Sequence, residues 1–195
     1  MRLIGLTGGM GMGKSTASAI FRRAGVPVFD ADATVHALQR PGGAAVAPIA
    51  RAFPGAVSHG AIDRAALRAA VLGCPTELAR LEAIIHPLVR AAERRFIASA
   101  RRRRVRLAVL DIPLLFETGG AGRVDLVVVV SAPPDVQRAR VRGRRRMSDA
   151  EIDAVLARQM PDSVKRRRAD VVVRTGLSRH HAWRDLQRLI RKLRA

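Results

Sequence analysis

Residues 4–16 read IGLTGGMGMGKST, an apolar run followed by a glycine cluster that closes on a lysine and two hydroxyls. Gly8 and Gly13-Lys14-Ser15 fit the spacing G-x-x-x-x-G-K-[ST], in which backbone N–H groups wrap a polyphosphate. Upstream, Leu3, Ile4 and Leu6 read as a short buried strand. Downstream, Ala17, Ile20, Phe21 and Ala24 recur at helical spacing. The loop is therefore predicted between a strand and a helix N-terminus, whose partial positive charge and free N–H groups favour an anion. In that setting Lys14 is expected to reach the terminal phosphates and the Ser15 hydroxyl to ligate Mg²⁺. The motif points to binding of a nucleoside triphosphate and leaves the acceptor open.

The 195 residues suit one domain with a full core and small insertions between its elements. With 3% aromatic residues the core must be aliphatic. No apolar signal segment precedes the first strand, and the longest apolar stretch, VDLVVVVSA at 124–132, is too short to cross a bilayer. A soluble cytoplasmic protein with no membrane partner is expected. The one cysteine, Cys74, has no partner for an internal disulfide and reads as structural or incidental. The formal net charge of +20 comes largely from arginine, concentrated at 101–104, 142–146 and 165–168. These runs are not interleaved with stacking aromatics, so they read as solvated helix ends, and nucleic acid is not an expected partner.

Beyond the first helix, Gly25 and Pro27 form a stop, and VPVFDADA (26–33) rises as a second strand ending in Asp30 and Asp32. In an open parallel α/β sheet, ligands bind at the carboxyl ends of the strands. One of the two acids is expected to cap the next helix or orient its neighbour, and the other to face the acceptor hydroxyl. Residues 34–100 read as helical, without a long strand. Asp63 opens a helix with Leu67, Ala70 and Val71 on one face, closed by Gly73, and Pro75 opens a longer one. Pro87 lies inside that helix, so a kink or break is expected beside His86 and Arg90.

The sheet resumes at Val105 and runs to Asp111, an acid at a strand end where Mg²⁺ is commonly held directly or through water. Leu126 to Val130 read as a central strand covered on both faces. Ser148 and Glu151 then make a capping box for a helix carrying Ile152, Val155 and Leu156, which Pro161 ends. Just before it stand Arg140, Arg142, Arg144, Arg145 and Arg146, guanidinium groups suited to closing over a transferring phosphoryl group. ADVVVRTG reads as the last strand. A final amphipathic helix follows, with Trp183, Leu186, Ile190 and Leu193 inward and His180 and His181 at the surface.

Taken in order, GLTGGMGMGKST, VPVFDAD, IDRAALRAAV, LEAIIHPLVR, LDIPLLFE, DLVVVVSAP, ARQMP and ADVVV resemble the dephospho-CoA kinases over nearly the whole chain. The resemblance implies a P-loop α/β fold with a five-stranded parallel sheet flanked by helices, a helical substrate-binding insertion at about 34–100 and a lid at about 139–161. The core then comprises 1–33, 105–138 and 169–195 of a single kinase domain. The implied reaction moves the γ-phosphoryl group of ATP to the ribose 3′-hydroxyl of dephospho-CoA, the last step of coenzyme A synthesis, in a monomer or weak homo-oligomer.

By the same resemblance Asp32 takes the place of the catalytic base, and Lys14 would act beside it by stabilising the phosphates. ATP would lie on Gly11, Met12, Gly13, Lys14, Ser15 and Thr16, with Arg140 and Arg144 from the lid. Thr7, Asp32, His86 and Arg90 would contact the acceptor, and Ser15 and Asp111 the metal. Three positions depart from the family: Met12 replaces a small residue, Val155 stands where an arginine is usual, and an asparagine near the adenine appears as Arg174 or is deleted. Two rivals stand beside this reading. One is a kinase of the same fold acting on another small metabolite or a nucleoside monophosphate, which would not need the insertion carrying HPLVR. The other is a basic nucleic-acid-binding NTPase, which would leave Asp32 without an acceptor.

Overall fold

The computed structural model describes residues 1–58, 60–145, 149–157 and 159–194, with the side chains at 144, 145, 150, 154 and 155 outside that description. The expectations for Arg144, Arg145, Arg146, Ser148 and Val155 as side chains therefore lie outside the described residues. The chain divides into two compact units, Met1–Phe29 together with residues from Ser99 onward, and Asp30–Ala98.

In the first unit, β1 (Arg2–Thr7) enters the core at once, with every residue after Arg2 buried. α1 (Lys14–Arg23) follows the glycine loop and buries Ala17, Ile20 and Phe21 together with Ser18. β2 (Val28–Asp30) leads out of this unit. Of the elements between 31 and 98, α2 spans Ala31–Leu38, α3 Val46–Ala52, β3 Val57–Ser58, β4 Ala61–Ile62 and α4 Arg64–Val71. α5 (Pro75–Arg102) brings the chain back, and β5 (Leu107–Asp111), β6 (Leu126–Ser131), α6 (Pro134–Arg145), α7 (Asp149–Ala157), α8 (Asp162–Arg167), β7 (Val171–Arg174) and α9 (Arg179–Arg194) complete it.

The five long strands form one parallel sheet in the order β2-β5-β1-β6-β7. Register runs from Arg2 opposite Leu107 to Leu6 opposite Asp111 on one side of β1, and from Ile4 opposite Leu126 to Thr7 opposite Val129 on the other. The glycine loop thus leaves the central strand, and Asp111 ends its neighbour at the same edge. Alternate residues of β6 serve opposite faces, as the two-residue period of a strand requires. Val128 and Val130 join Ile4, Leu6, Ile20, Phe21, Leu186 and Ile190 under α1 and α9, while Val127 and Val129 meet Leu115 on the other side.

In α9 the buried stripe is Ala182, Leu186 and Ile190. Trp183 was expected inward but is 45% exposed, its ring stacked on that of His180 at 5.7 Å between centroids. One residue turns a helix by about 100°, so the neighbour of a buried Ala182 lies at the edge of the apolar face.

The second unit has its own apolar cluster, in which Ala45, Ile49, Phe53, Leu67 and Ile85 are buried. Arg80 lays its guanidinium carbon 5.4 Å from the centre of the Phe53 ring. Asp63 caps α4 by accepting from the Ala65 and Ala66 N–H groups. β3 and β4 make a small antiparallel pair that the helical reading of this segment did not contain. Helix α5 runs through Pro87 without the break that was one of the two outcomes expected there. Proline removes the donor for the Ala83 carbonyl, but both residues are exposed, so water can satisfy that oxygen.

Candidate active site

Gly13 stands at the N-cap of α1 with φ 91°, in the left-handed region, and supplies no side-chain cap. The first-turn N–H groups of α1, which have no intrahelical partners, are left for an anion. Lys14 opens this turn. Its ammonium lies 2.6 Å from Oδ1 of Asp111, whose other carboxylate oxygen accepts from the Ser18 hydroxyl. Asp111 and Ser18 are buried, whereas Ser15 is exposed. Two helix residues four apart therefore hold one carboxylate at the end of β5. Ser18 carries no signal in the sequence, because a small residue on the apolar face of a helix reads as core.

The loop is anchored from the opposite side by Thr175, just beyond β7. Its hydroxyl donates to the Met12 carbonyl at 2.6 Å, and its N–H donates to the Ser131 carbonyl at 2.8 Å. Arg140 of α6 donates to the Thr175 carbonyl at 2.6 Å and reaches Gly11 O at 3.5 Å. Arg140 thus stands against the phosphate loop. Arg142 does not: it makes a two-armed pair with Asp149 at 2.8 and 2.6 Å, tying α6 to α7, as does Arg138 with Asp153.

Thr7 and Met12 are both engaged within the chain. Thr7 is fully buried and its hydroxyl donates to the Pro113 carbonyl at 2.8 Å. Met12 N–H donates to Gly9 O at 3.1 Å within the loop, and its sulfur accepts from the Ala132 N–H at 3.1 Å. The thioether is buried under the loop, which is how a bulky residue is accommodated there. A recess of about 170 Å³ beside Gly13 and Thr16 is lined also by Arg140, Thr175, Ser178 and Arg179. A wider one of about 1010 Å³, which Arg174 lines, touches the loop through Met12.

Lys165, the first residue of the basic run at 165–168, is buried beside Glu117 at 2.9 Å instead of being solvated. Glu117 also accepts from the Met160 N–H at 3.0 Å. Burial pushes its carboxyl up, but the Lys165 ammonium and the Met160 amide outweigh that effect and hold it below its ordinary value.

In the second unit, Asp30 caps α2 by accepting from the Ala33 N–H at 2.9 Å. Asp32, in the first turn, is exposed. His86 is exposed and Arg90 half-buried, four residues apart on α5 and hence on one helix face. Oxygen donors are what Mg²⁺ takes, and the Ser15 hydroxyl and Asp111 carboxylate fit it. Among the described residues there is no cluster of three or more His, Cys, Asp or Glu side chains that would form a protein-only metal cage.

A family model described as dephospho-CoA kinase matches residues 2–179. The chain belongs to the dephospho-CoA kinase family. Dephospho-CoA kinase from Paramagnetospirillum magneticum is 64% identical over 85% of this chain and 78% of its own. The one from Gluconobacter oxydans is 54% identical over 100% of this chain and 98% of its own. Among solved structures, TT1252 from Thermus thermophilus is similar with a TM-score of 0.85 and 37% identity, covering 98% of this chain and 97% of that one. The reaction of the dephospho-CoA kinases is ATP-dependent phosphorylation of the ribose 3′-hydroxyl of dephospho-CoA, giving coenzyme A and ADP. No helix among the described residues is long and apolar enough to cross a membrane.

Proposed function

We propose that this kinase divides the reaction between Lys14, Ser15 and Arg140 on the ATP side and Asp32, His86 and Arg90 on the acceptor side. The observation that carries the ATP side is the bare N-terminus of α1 with the Lys14 ammonium held at its mouth by Asp111. The phosphates would take over Lys14 from Asp111 and lie on the N–H groups of Gly13, Lys14, Ser15 and Thr16. Adenosine would enter the recess beside Thr16, Arg140 and Ser178, which adjoins those N–H groups. Ser15 and Asp111 are the residues that would hold Mg²⁺, which neutralises phosphate charge when bound.

Asp32 is the base in this reading. Asp30 is already engaged as a helix cap, which leaves Asp32 exposed for the acceptor. As the 3′-oxygen bonds to the γ-phosphorus, its proton passes to Asp32, the bond to the β–γ bridging oxygen breaks, and ADP leaves. The transition state is loose, so the carboxylate chiefly orients the hydroxyl and accepts its proton. Arg90, with His86 on the same helix face, would contact the diphosphate of the acceptor.

The test is ADP release from ATP and Mg²⁺ in the presence of dephospho-CoA, adenosine, AMP or short RNA. Stimulation by dephospho-CoA alone, with coenzyme A formed in equal amount and no release without Mg²⁺, is expected. Release driven by AMP or RNA would overturn the acceptor-side assignment.

A further inference from the structure

A phosphate-loop pattern demands Gly8 and Gly13 here and is silent about Gly9 and Met10. Both are nevertheless tightly surrounded. The Met10 N–H donates to Oε1 of Gln159 at 3.2 Å, and the Met10 carbonyl accepts from Nε2 of Gln137 at 2.7 Å. The two backbone groups of one loop residue are thus held by two side-chain amides. Gln137 lies in α6 and is 8% exposed; Gln159 lies two residues beyond the end of α7. They stand at the two roots of the α6–α7 segment. A Cβ on Gly9 would lie 3.2 Å from the Gln159 oxygen and 3.3 Å from the Gln137 nitrogen. Gly9 therefore leaves the room in which both amides close on the loop.

A glycine-rich loop has wide backbone freedom, and its N–H groups serve a phosphate only if they converge on it. Fixing both peptide groups of Met10 restricts the turn that presents Gly11, Gly13 and Lys14. The geometry points to Gln137 and Gln159 as positioning residues, a two-amide clamp on Met10 that sets the shape of the phosphate loop and couples it to the α6–α7 segment. The clamp rests on the assignment of this loop to the ATP phosphates.

The two amides have opposite duties: Gln137 must donate and Gln159 must accept. Gln137→Glu and Gln159→Glu add the same charge, but only the first sets an acceptor against a carbonyl. With kcat, KM for ATP, and the ATP dissociation constant measured for each, Gln137→Glu is expected to fall at least about five-fold further in kcat/KM for ATP than Gln159→Glu. Gln137→Ala and Gln159→Ala should each lose about three- to ten-fold, and the double variant less than their product, because both act through Met10. KM for dephospho-CoA and the melting midpoint should hold. Equal losses for the two glutamate variants, or losses that follow the melting midpoint while ATP affinity is unchanged, would overturn the clamp. Retention of ATP affinity by Lys14→Ala would instead overturn the loop assignment beneath it.

Discussion

Two sets of polar and charged residues in this kinase are built in opposite ways. Around the phosphate loop, Lys14, Asp111, Ser18, Arg140 and Thr175 are bonded to one another or to backbone, and most are buried. In the unit of residues 30–98, Asp32 and His86 are exposed, and Arg90 is half-buried. The difference teaches where preorganisation lies. In the proposed division of labour, the ATP side has its donors gathered before ligand arrives, so binding there requires chiefly the exchange of Lys14 from Asp111 to phosphate. The proposed acceptor side instead presents solvent-accessible groups on helices α2 and α5, which dephospho-CoA would desolvate on binding.

That contrast breaks most sharply at Asp32. Replacement by asparagine removes the proton acceptor and keeps the shape, so kcat should fall by about two to four orders of magnitude. Unchanged turnover in a steady-state assay would remove Asp32 from the mechanism. Arg90→Ala should act only on the acceptor side, raising KM for dephospho-CoA by about ten-fold or more through loss of a charge-assisted contact. An equal rise in KM for ATP would blur the division.

Glu117 tests the first unit as structure. Glu117→Ala strands the Lys165 ammonium in the interior and should cost about 3 kcal/mol in denaturant unfolding. A change under about 0.5 kcal/mol would mean that water reaches Lys165. The pH dependence has a definite sign. The Glu117 carboxyl is held below its ordinary value of 4.5 in the folded chain, so its contribution is complete above that pH and fades as pH falls through the folded value. The wild type should therefore lose part of its margin over Glu117→Ala at acid pH.

The sheet was legible because buried parallel strands are continuous apolar runs bounded by glycine, proline or acid, and the phosphate loop because its spacing is a chemical requirement. That one of Asp30 and Asp32 would cap the next helix was legible, but which one was left open until the structure gave the cap to Asp30. The residues that hold the loop were not legible. Thr175, Gln137 and Gln159 meet it across more than a hundred positions, and nothing local to them marks the partner. Lys165 hid in a run of four basic residues, three of which are exposed. Trp183 was assigned inward because it is apolar, although the stripe that α9 buries starts one residue earlier.

The most direct measurement is the ATP dissociation constant of Asp32→Asn and Lys14→Ala, side by side, in the absence of acceptor. Asp32→Asn is expected to bind ATP within about two-fold of wild type, and Lys14→Ala at least about ten-fold more weakly, the size of a lost charge-assisted phosphate contact. Comparable loss in both variants would contradict the division of labour. So would full ATP affinity in Lys14→Ala.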